Sequence, residues 1–190
     1  MRVIAGKYRS RAVRSLPGLD LRPTTDRLRE SLFDVLTAGN PDALEGTTWL
    51  DLFAGTGAVG IEALSRGARA VTFVESSRQA AGLIRRNLGS LQAEGSAVRV
   101  IQEEVPRALR KLVLGDHAAD FVFLDPPYRM EAAYRETLDL LAEGKLVKPE
   151  GIVIAEHQKK FDPGEKFGAL LRYRKLPQGD AVLSFYRGKS

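Results

Sequence analysis

The chain has 190 residues, 44% of them hydrophobic, no cysteine and a formal net charge of +5. That length supports one domain with at most a small appendage. The lack of cysteine excludes disulfides, a thiolate nucleophile and thiolate metal sites, and no run of eighteen apolar residues offers a membrane span.

The charge is unevenly placed. Residues 1–30 carry eight basic side chains against Asp20, Asp26 and Glu30, and the other 160 residues are neutral in sum. A neutral body with a basic N-terminal segment is a pattern for contact with a phosphate backbone. Arg2, Lys7, Arg9, Arg11, Arg14 and Arg22 are the candidate contacts. Residues 2–14 alternate in the manner of a short hairpin, with Gly6-Lys7 near its tip and Val3, Tyr8 and Val13 on one apolar face. Residues 1–20 therefore read as a basic hairpin arm and residues 21–190 as the main domain.

After the break at Leu16-Pro17-Gly18, the run Arg22-Pro23-Thr24-Thr25-Asp26 has the residues of a helix start. Leu28, Leu32, Val35 and Leu36 then form one stripe of an amphipathic helix that stops at Gly39-Asn40-Pro41. Strands and helices alternate from there. Strands are expected at WLDLF, Ala70–Glu75, Val98–Gln102, Ala119–Leu124 and Gly151–Glu156, with helices between them up to Arg66 and over 77–94, 105–114 and 131–143. Leu170–Leu176 and Ala181–Arg187 flank Pro177-Gln178-Gly179-Asp180 as a terminal hairpin. The expected fold class is α/β. It is a Rossmann-like doubly wound sheet of about seven strands, mostly parallel, with an antiparallel C-terminal hairpin strand and a small N-terminal β-hairpin extension.

Two constellations carry chemistry. In the first, the strand WLDLF leads into Gly55, Gly57 and Gly60 and then a helix. Strand, glycine turn and helix make a nucleotide site, because the backbone can approach a ligand closely and free N–H groups of the helix face it. Glu75 closes the next strand twenty residues after Gly55 and can accept hydrogen bonds from both hydroxyls of a ribose. This half leaves NAD and S-adenosylmethionine open. Asp51 leans toward the second, because a carboxylate repels a pyrophosphate and attracts an ammonium and a sulfonium.

In the second, the buried strand Phe121–Leu124 ends in Asp125-Pro126-Pro127-Tyr128. Two prolines donate no backbone hydrogen bonds and hold the turn extended, so its carbonyls are left to accept. A planar base with an exocyclic amino group suits this turn. Asp125 and the Pro126 carbonyl can hold the amino hydrogens while Tyr128 stacks on the ring. His117 and His157 lie far apart without acidic neighbours at ligand spacing, so no metal site is expected.

The Asp-Pro-Pro-Tyr turn with the Phe-x-Gly-x-Gly loop resembles the class I amino-group methyltransferases. RPTTDRLRESLFDVL followed by LDLFAGTGAVGIEALSRGA and DPPY resembles the bacterial 16S rRNA guanine-N2 methyltransferases, small-subunit rRNA methyltransferase D type, over nearly the whole chain. The resemblance implies S-adenosylmethionine as cofactor and the N2 amino group of guanine 966 in 16S rRNA as target. It further implies a small-subunit assembly particle as partner. A cytoplasmic location without membrane contact, and a monomer, are the default expectations for this composition. By the same resemblance Phe53, Ala54, Gly55, Thr56 and Gly57 hold the methionine part, with Asp51 nearby. Glu75 and Ser76 take the ribose, and Glu103 or Glu104 lies beside the adenine. Asp125, Pro126, Pro127 and Tyr128 form the target-amino turn. DNA adenine-N6 and cytosine-N4 methyltransferases share that turn but usually carry a large recognition domain. A non-catalytic RNA-binding assembly factor is the alternative outside this chemistry.

Overall fold

A computed structural model describes residues 1–15, 25–93, 98–115 and 117–188. Arg22 and most of the expected helix start at 22–24 lie outside the described residues.

The first helix, α1 (Asp26–Leu36), is capped by Thr25, whose side chain accepts from the Leu28 N–H at 3.2 Å. Leu28, Leu32, Phe33 and Leu36 face inward. Phe33 takes the innermost place where the periodicity favoured Val35, because Trp49 stacks on its ring at 5.5 Å. The elements that follow are β1 (Thr48–Leu52), α2 (Ala58–Ser65), β2 (Ala70–Val74), α3 (Arg78–Ser90), β3 (Val98–Ile101), α4 (Val105–Leu112), β4 (Ala119–Leu124) and α5 (Glu131–Glu143). The C-terminal part is all strand: β5 (Val147–Gln158), β6 (Lys166–Phe167), β7 (Leu170–Gln178) and β8 (Ala181–Gly188).

These strands form one sheet in the order β3-β2-β1-β4-β5-β8-β7-β6. The sheet thus has eight strands among the described residues, where the sequence pattern gives about seven. The extra strand, β6, is only two residues long and exists by pairing with Leu170 and Leu171 of β7. The neighbours from β3 to β5 are parallel, and β8, β7 and β6 add antiparallel pairs.

Alternation along the strands divides the core. One face, with Trp49, Phe73, Phe121, Phe123 and Ile154, packs against α1, α2 and α3. The other, with Leu50, Leu52, Val122, Leu124 and Val153, packs against α4 and α5. The chain runs outward from β1 to β3 and then returns to the opposite side of β1 as β4. That reversal opens a crevice at the carboxyl ends of β1 and β4, the usual ligand position in such sheets.

The basic N-terminal segment is stitched to this body. Arg2 and Ala12 form a single antiparallel bridge, and turns fill the space between them. Val3 and Val13 are fully buried in the core, and Tyr8 packs against it. The N–H groups of Ile4 and Ala5 donate to the Glu62 carboxylate at 2.8 and 3.0 Å. Glu62 is itself buried on α2 with Arg66 at 2.8 Å and the buried Arg29 at 3.7 Å. Gly6 lies so close to Ser65 that a Cβ would meet its carbonyl oxygen at 1.8 Å, and its φ is +80°, so no side chain is tolerated there. Asn87 of α3, fully buried, accepts from Arg14 N–H at 3.0 Å and donates to the carbonyls of Arg14 and Thr56, each at 3.1 Å.

Candidate functional site

The crevice is a cleft of about 380 Å³, within the usual range of small-molecule sites. It joins the glycine loop after β1 to the proline turn after β4. Leu52 and Leu124 are register partners on adjacent strands, so the two motifs leave the sheet side by side.

The loop has a specific shape. Phe53 has a φ of +58°, a left-handed conformation that is strained by roughly 1–3 kcal/mol for a non-glycine residue. Gly57 caps α2 in the same region, at +76°. Gly60 answers a different demand: a Cβ there would meet the Phe73 ring at 2.4 Å. Its absence lets α2 lie close on β2 and brings the helix N-terminus to the cleft. Of the N–H groups of the first turn, Gly60 N–H donates to Asp51 at 2.9 Å and Ile61 N–H to the Gly57 carbonyl at 2.9 Å. Helix geometry leaves those of Ala58 and Val59 without intrahelical acceptors, and both residues line the cleft. Such a cradle fits a carboxylate or another acceptor-rich group.

Glu75 braces the loop. Its carboxylate accepts from Gly55 N–H at 2.9 Å and from Ser77 N–H at 2.8 Å, one bond to each oxygen. Each oxygen keeps capacity for a further donor, so the pair of hydroxyls of a ribose fits here. Asp51 is fully buried beside it. Burial, eased by the Gly60 N–H and reinforced by the Glu75 charge, pushes the Asp51 carboxyl up to about 7. A positively charged occupant would relieve that cost, and an anionic one would add to it.

In the proline turn, Asp125 is half-buried, Pro126 buried and Tyr128 half-buried. Tyr134 of α5 is fully buried, and its hydroxyl lies 2.8 Å from the Glu156 carbonyl and 3.3 Å from that of Pro126. It ties the turn to the end of β5. The Pro126 carbonyl retains a second lone pair for a donor from the cleft.

The cleft brings together Asp51, Phe53, Ala54, Gly55, Thr56, Glu75, Ser76, Glu104 and the whole of Asp125–Tyr128. Gly57 shapes the loop from behind and does not line it. Of the two acids after β3, Glu104 faces the cleft. Glu103 faces α4, where Arg107 at 2.8 Å and Lys111 at 2.7 Å hold its carboxylate. Phe123, Arg129, Met130 and Glu156 line the cleft without having been singled out from sequence. Glu156 had a usable signal, an acid closing the apolar run of β5, as Glu75 follows β2 and Asp125 follows β4.

Arg2, Lys7, Arg9, Arg11 and Arg14 are all exposed on the N-terminal segment. Arg11 also donates to the Ser90 carbonyl at 2.8 Å. The segment abuts the cleft, since Met1 Sδ lies 3.9 Å from Thr56 Oγ1.

The chain has relatives among known proteins over most of its length. The model of the family described as conserved hypothetical protein 95 matches residues 1–187. Ribosomal RNA small subunit methyltransferase D of Haemophilus influenzae is 36% identical over 159 residues, covering 84% of this chain and 79% of that protein. The protein of the same name from Escherichia coli K12 is 37% identical over 158 residues, covering 83% and 75%. Among solved structures, a hypothetical protein of Thermus thermophilus superimposes with a TM-score of 0.81 at 28% identity, covering 98% of this chain and 99% of that one.

The raised Asp51 carboxyl makes stability depend on pH. Between its ordinary value near 4 and about 7, the folded chain holds a proton that the unfolded chain releases. The contribution is therefore fully present below about pH 4 and is lost as pH rises through about 7. Asp51→Asn keeps an acceptor for Gly60 N–H and removes the charge. Without ligand, its unfolding free energy should exceed that of the wild type by a few kcal/mol at about pH 8 and match it near pH 4. Urea titrations at the two pH values check this, and a constant difference would show that Asp51 is not the titrating group.

Proposed function

This chain belongs to the family described as conserved hypothetical protein 95, and from that membership and the cleft we propose that it is an S-adenosylmethionine-dependent methyltransferase of small-subunit rRNA. We propose further that its target is the exocyclic N2 amino group of a guanine, guanine 966 by resemblance. The observation that carries the reading is the meeting, on adjacent strands, of the glycine loop braced by Glu75 and the proline turn Asp125-Pro126-Pro127-Tyr128 in one cleft. The names of the two methyltransferase D relatives support the rRNA class of substrate.

When bound, S-adenosylmethionine supplies an electrophilic methyl group on a sulfonium. In the division of labour proposed here, Glu75 holds the ribose and the N–H groups of Ala58 and Val59 take the carboxylate. Asp51 offsets the ammonium, and Glu104 borders the adenine. Phe53, Ala54, Gly55 and Thr56 wall the methionine part. On the substrate side Asp125 and the Pro126 carbonyl accept the two amino hydrogens. The nitrogen lone pair, otherwise delocalised into the ring, is thereby aimed at the cleft, and Asp125 is in reach of the proton that the nitrogen must lose. Tyr128 stacks on the base, worth roughly 1–3 kcal/mol. Positioning of this kind accounts for much of the acceleration of a displacement.

Asp125→Ala removes the amino acceptor and leaves the loop after β1 intact. Methyl transfer to purified small-subunit rRNA particles should fall by about 10²-fold or more, while the calorimetric affinity for S-adenosylmethionine changes less than about threefold. Equal loss of cofactor affinity would place Asp125 on the cofactor instead.

The N-terminal segment supplies the RNA affinity in this reading. Arg11 also anchors the segment to α3, so Lys7, Arg9 and Arg14 are the cleaner trio to change. Each phosphate contact on single-stranded RNA contributes about −0.7 to the slope of log K against log salt. The triple alanine variant should therefore flatten the slope by about two and leave cofactor affinity unchanged. A slope equal to that of the wild type would move the RNA surface off this segment.

A further inference from the structure

Glu156 stands in the cleft with no part in the division of labour above. It lies two places before the end of β5, almost fully buried, and it lines the same cleft as Asp125 and Tyr128. Ala155 is the register partner of Leu124, so Glu156 and Asp125 follow on neighbouring strands at the same level. Adjacent strands lie about 4.8 Å apart. Two neighbouring atoms on a purine edge, the C2 amino nitrogen and N1, are spaced closely enough to meet two such carboxylates at once. The backbone of Glu156 is held in turn, because the Tyr134 hydroxyl sits 2.8 Å from its carbonyl and bridges to Pro126. On the far side Leu183 of β8 is its pair.

We propose that Glu156 is the specificity-determining residue of this site, accepting the N1–H of the target guanine while Asp125 and Pro126 accept its N2 hydrogens. This rests on the reading of the cleft as a guanine-N2 methyltransferase site. The chemistry is discriminating. Guanine presents a donor at N1 next to the amino group, and a buried carboxylate is acceptor-only when ionised. Adenine presents a lone pair at N1, which the same carboxylate repels. A carboxylate carries about four lone-pair positions, so other contacts of Glu156 within the protein are compatible with the bond to N1.

The test replaces the target guanosine in a reconstituted small-subunit particle with 2-aminopurine riboside. That base keeps the C2 amino group and has a lone pair at N1. The wild type should prefer guanine by about tenfold or more in kcat/KM, the size expected of one charge-assisted hydrogen bond. Glu156→Gln can turn either its carbonyl or its amide N–H toward N1, so its preference should fall to within about threefold. Glu156→Asp keeps the charge and should keep the preference at lower turnover. Melting temperature and S-adenosylmethionine affinity, measured on each variant, should match the wild type. A wild type that treats the two bases alike, or a Glu156→Gln variant that keeps the full preference, overturns the assignment while leaving the methyltransferase reading in place. If Glu156→Gln fails to fold, the wild-type comparison and Glu156→Asp decide. A wild type that methylates neither base overturns the reading itself, and the assignment with it.

Discussion

Five carboxylates line a single cleft, and four of them, Asp51, Glu75, Asp125 and Glu156, crowd the rim of one sheet at the carboxyl ends of β1, β2, β4 and β5, with Glu104 beyond β3. Like charges out of water repel, and the fold must neutralise them or recruit a ligand that does. Part of the answer is internal. Gly55 and Ser77 donate to Glu75, Gly60 donates to Asp51, and Asp51 is pushed toward holding its proton. The rest selects the ligand. An acidic pocket disfavours a pyrophosphate and favours a sulfonium, an ammonium and a base edge rich in N–H donors. The proposed cofactor and the proposed guanine both meet that requirement.

The N-terminal segment depends on the same body. Its backbone is held by Glu62 on α2, and Asn87 on α3 bonds both to Arg14 and to the carbonyl of Thr56 in the glycine loop after β1. The basic side chains are therefore displayed from a fixed surface beside the cleft. Arg29 does not join them. It is buried against Glu62, and its guanidinium also meets Asp26 at 3.0 Å and the Arg2 carbonyl. Its charge serves packing and not the surface.

Much of this was legible in the order of residues, because the informative features are local. A strand, three glycines and a helix are adjacent in the chain, and Asp-Pro-Pro-Tyr is a single turn. What escaped was set by tertiary contact. Two residues, Lys166 and Phe167, cannot display a period, so β6 becomes a strand only by meeting β7. The early start of β5, at Val147, is masked by Pro149 and by a shift of register opposite Ala119 and Phe121. Glu62 and Asn87 read as ordinary helix residues until the N-terminal segment is seen lying on them. Glu103 and Glu104 are neighbours whose side chains diverge at the start of α4, and only Glu104 reaches the cleft.

The proposed reaction of this cleft carries a methyl group to the N2 amino nitrogen of a guanine in small-subunit rRNA. Small-subunit particles from cells lacking the gene would be incubated with the purified protein and S-adenosylmethionine carrying a labelled methyl group. The rRNA would then be digested and its nucleosides resolved by mass spectrometry. The label should enter N2-methylguanosine, at one position in the rRNA. Label in an adenine, a ribose or a ring nitrogen, or no label in particles that lack the modification, would contradict it.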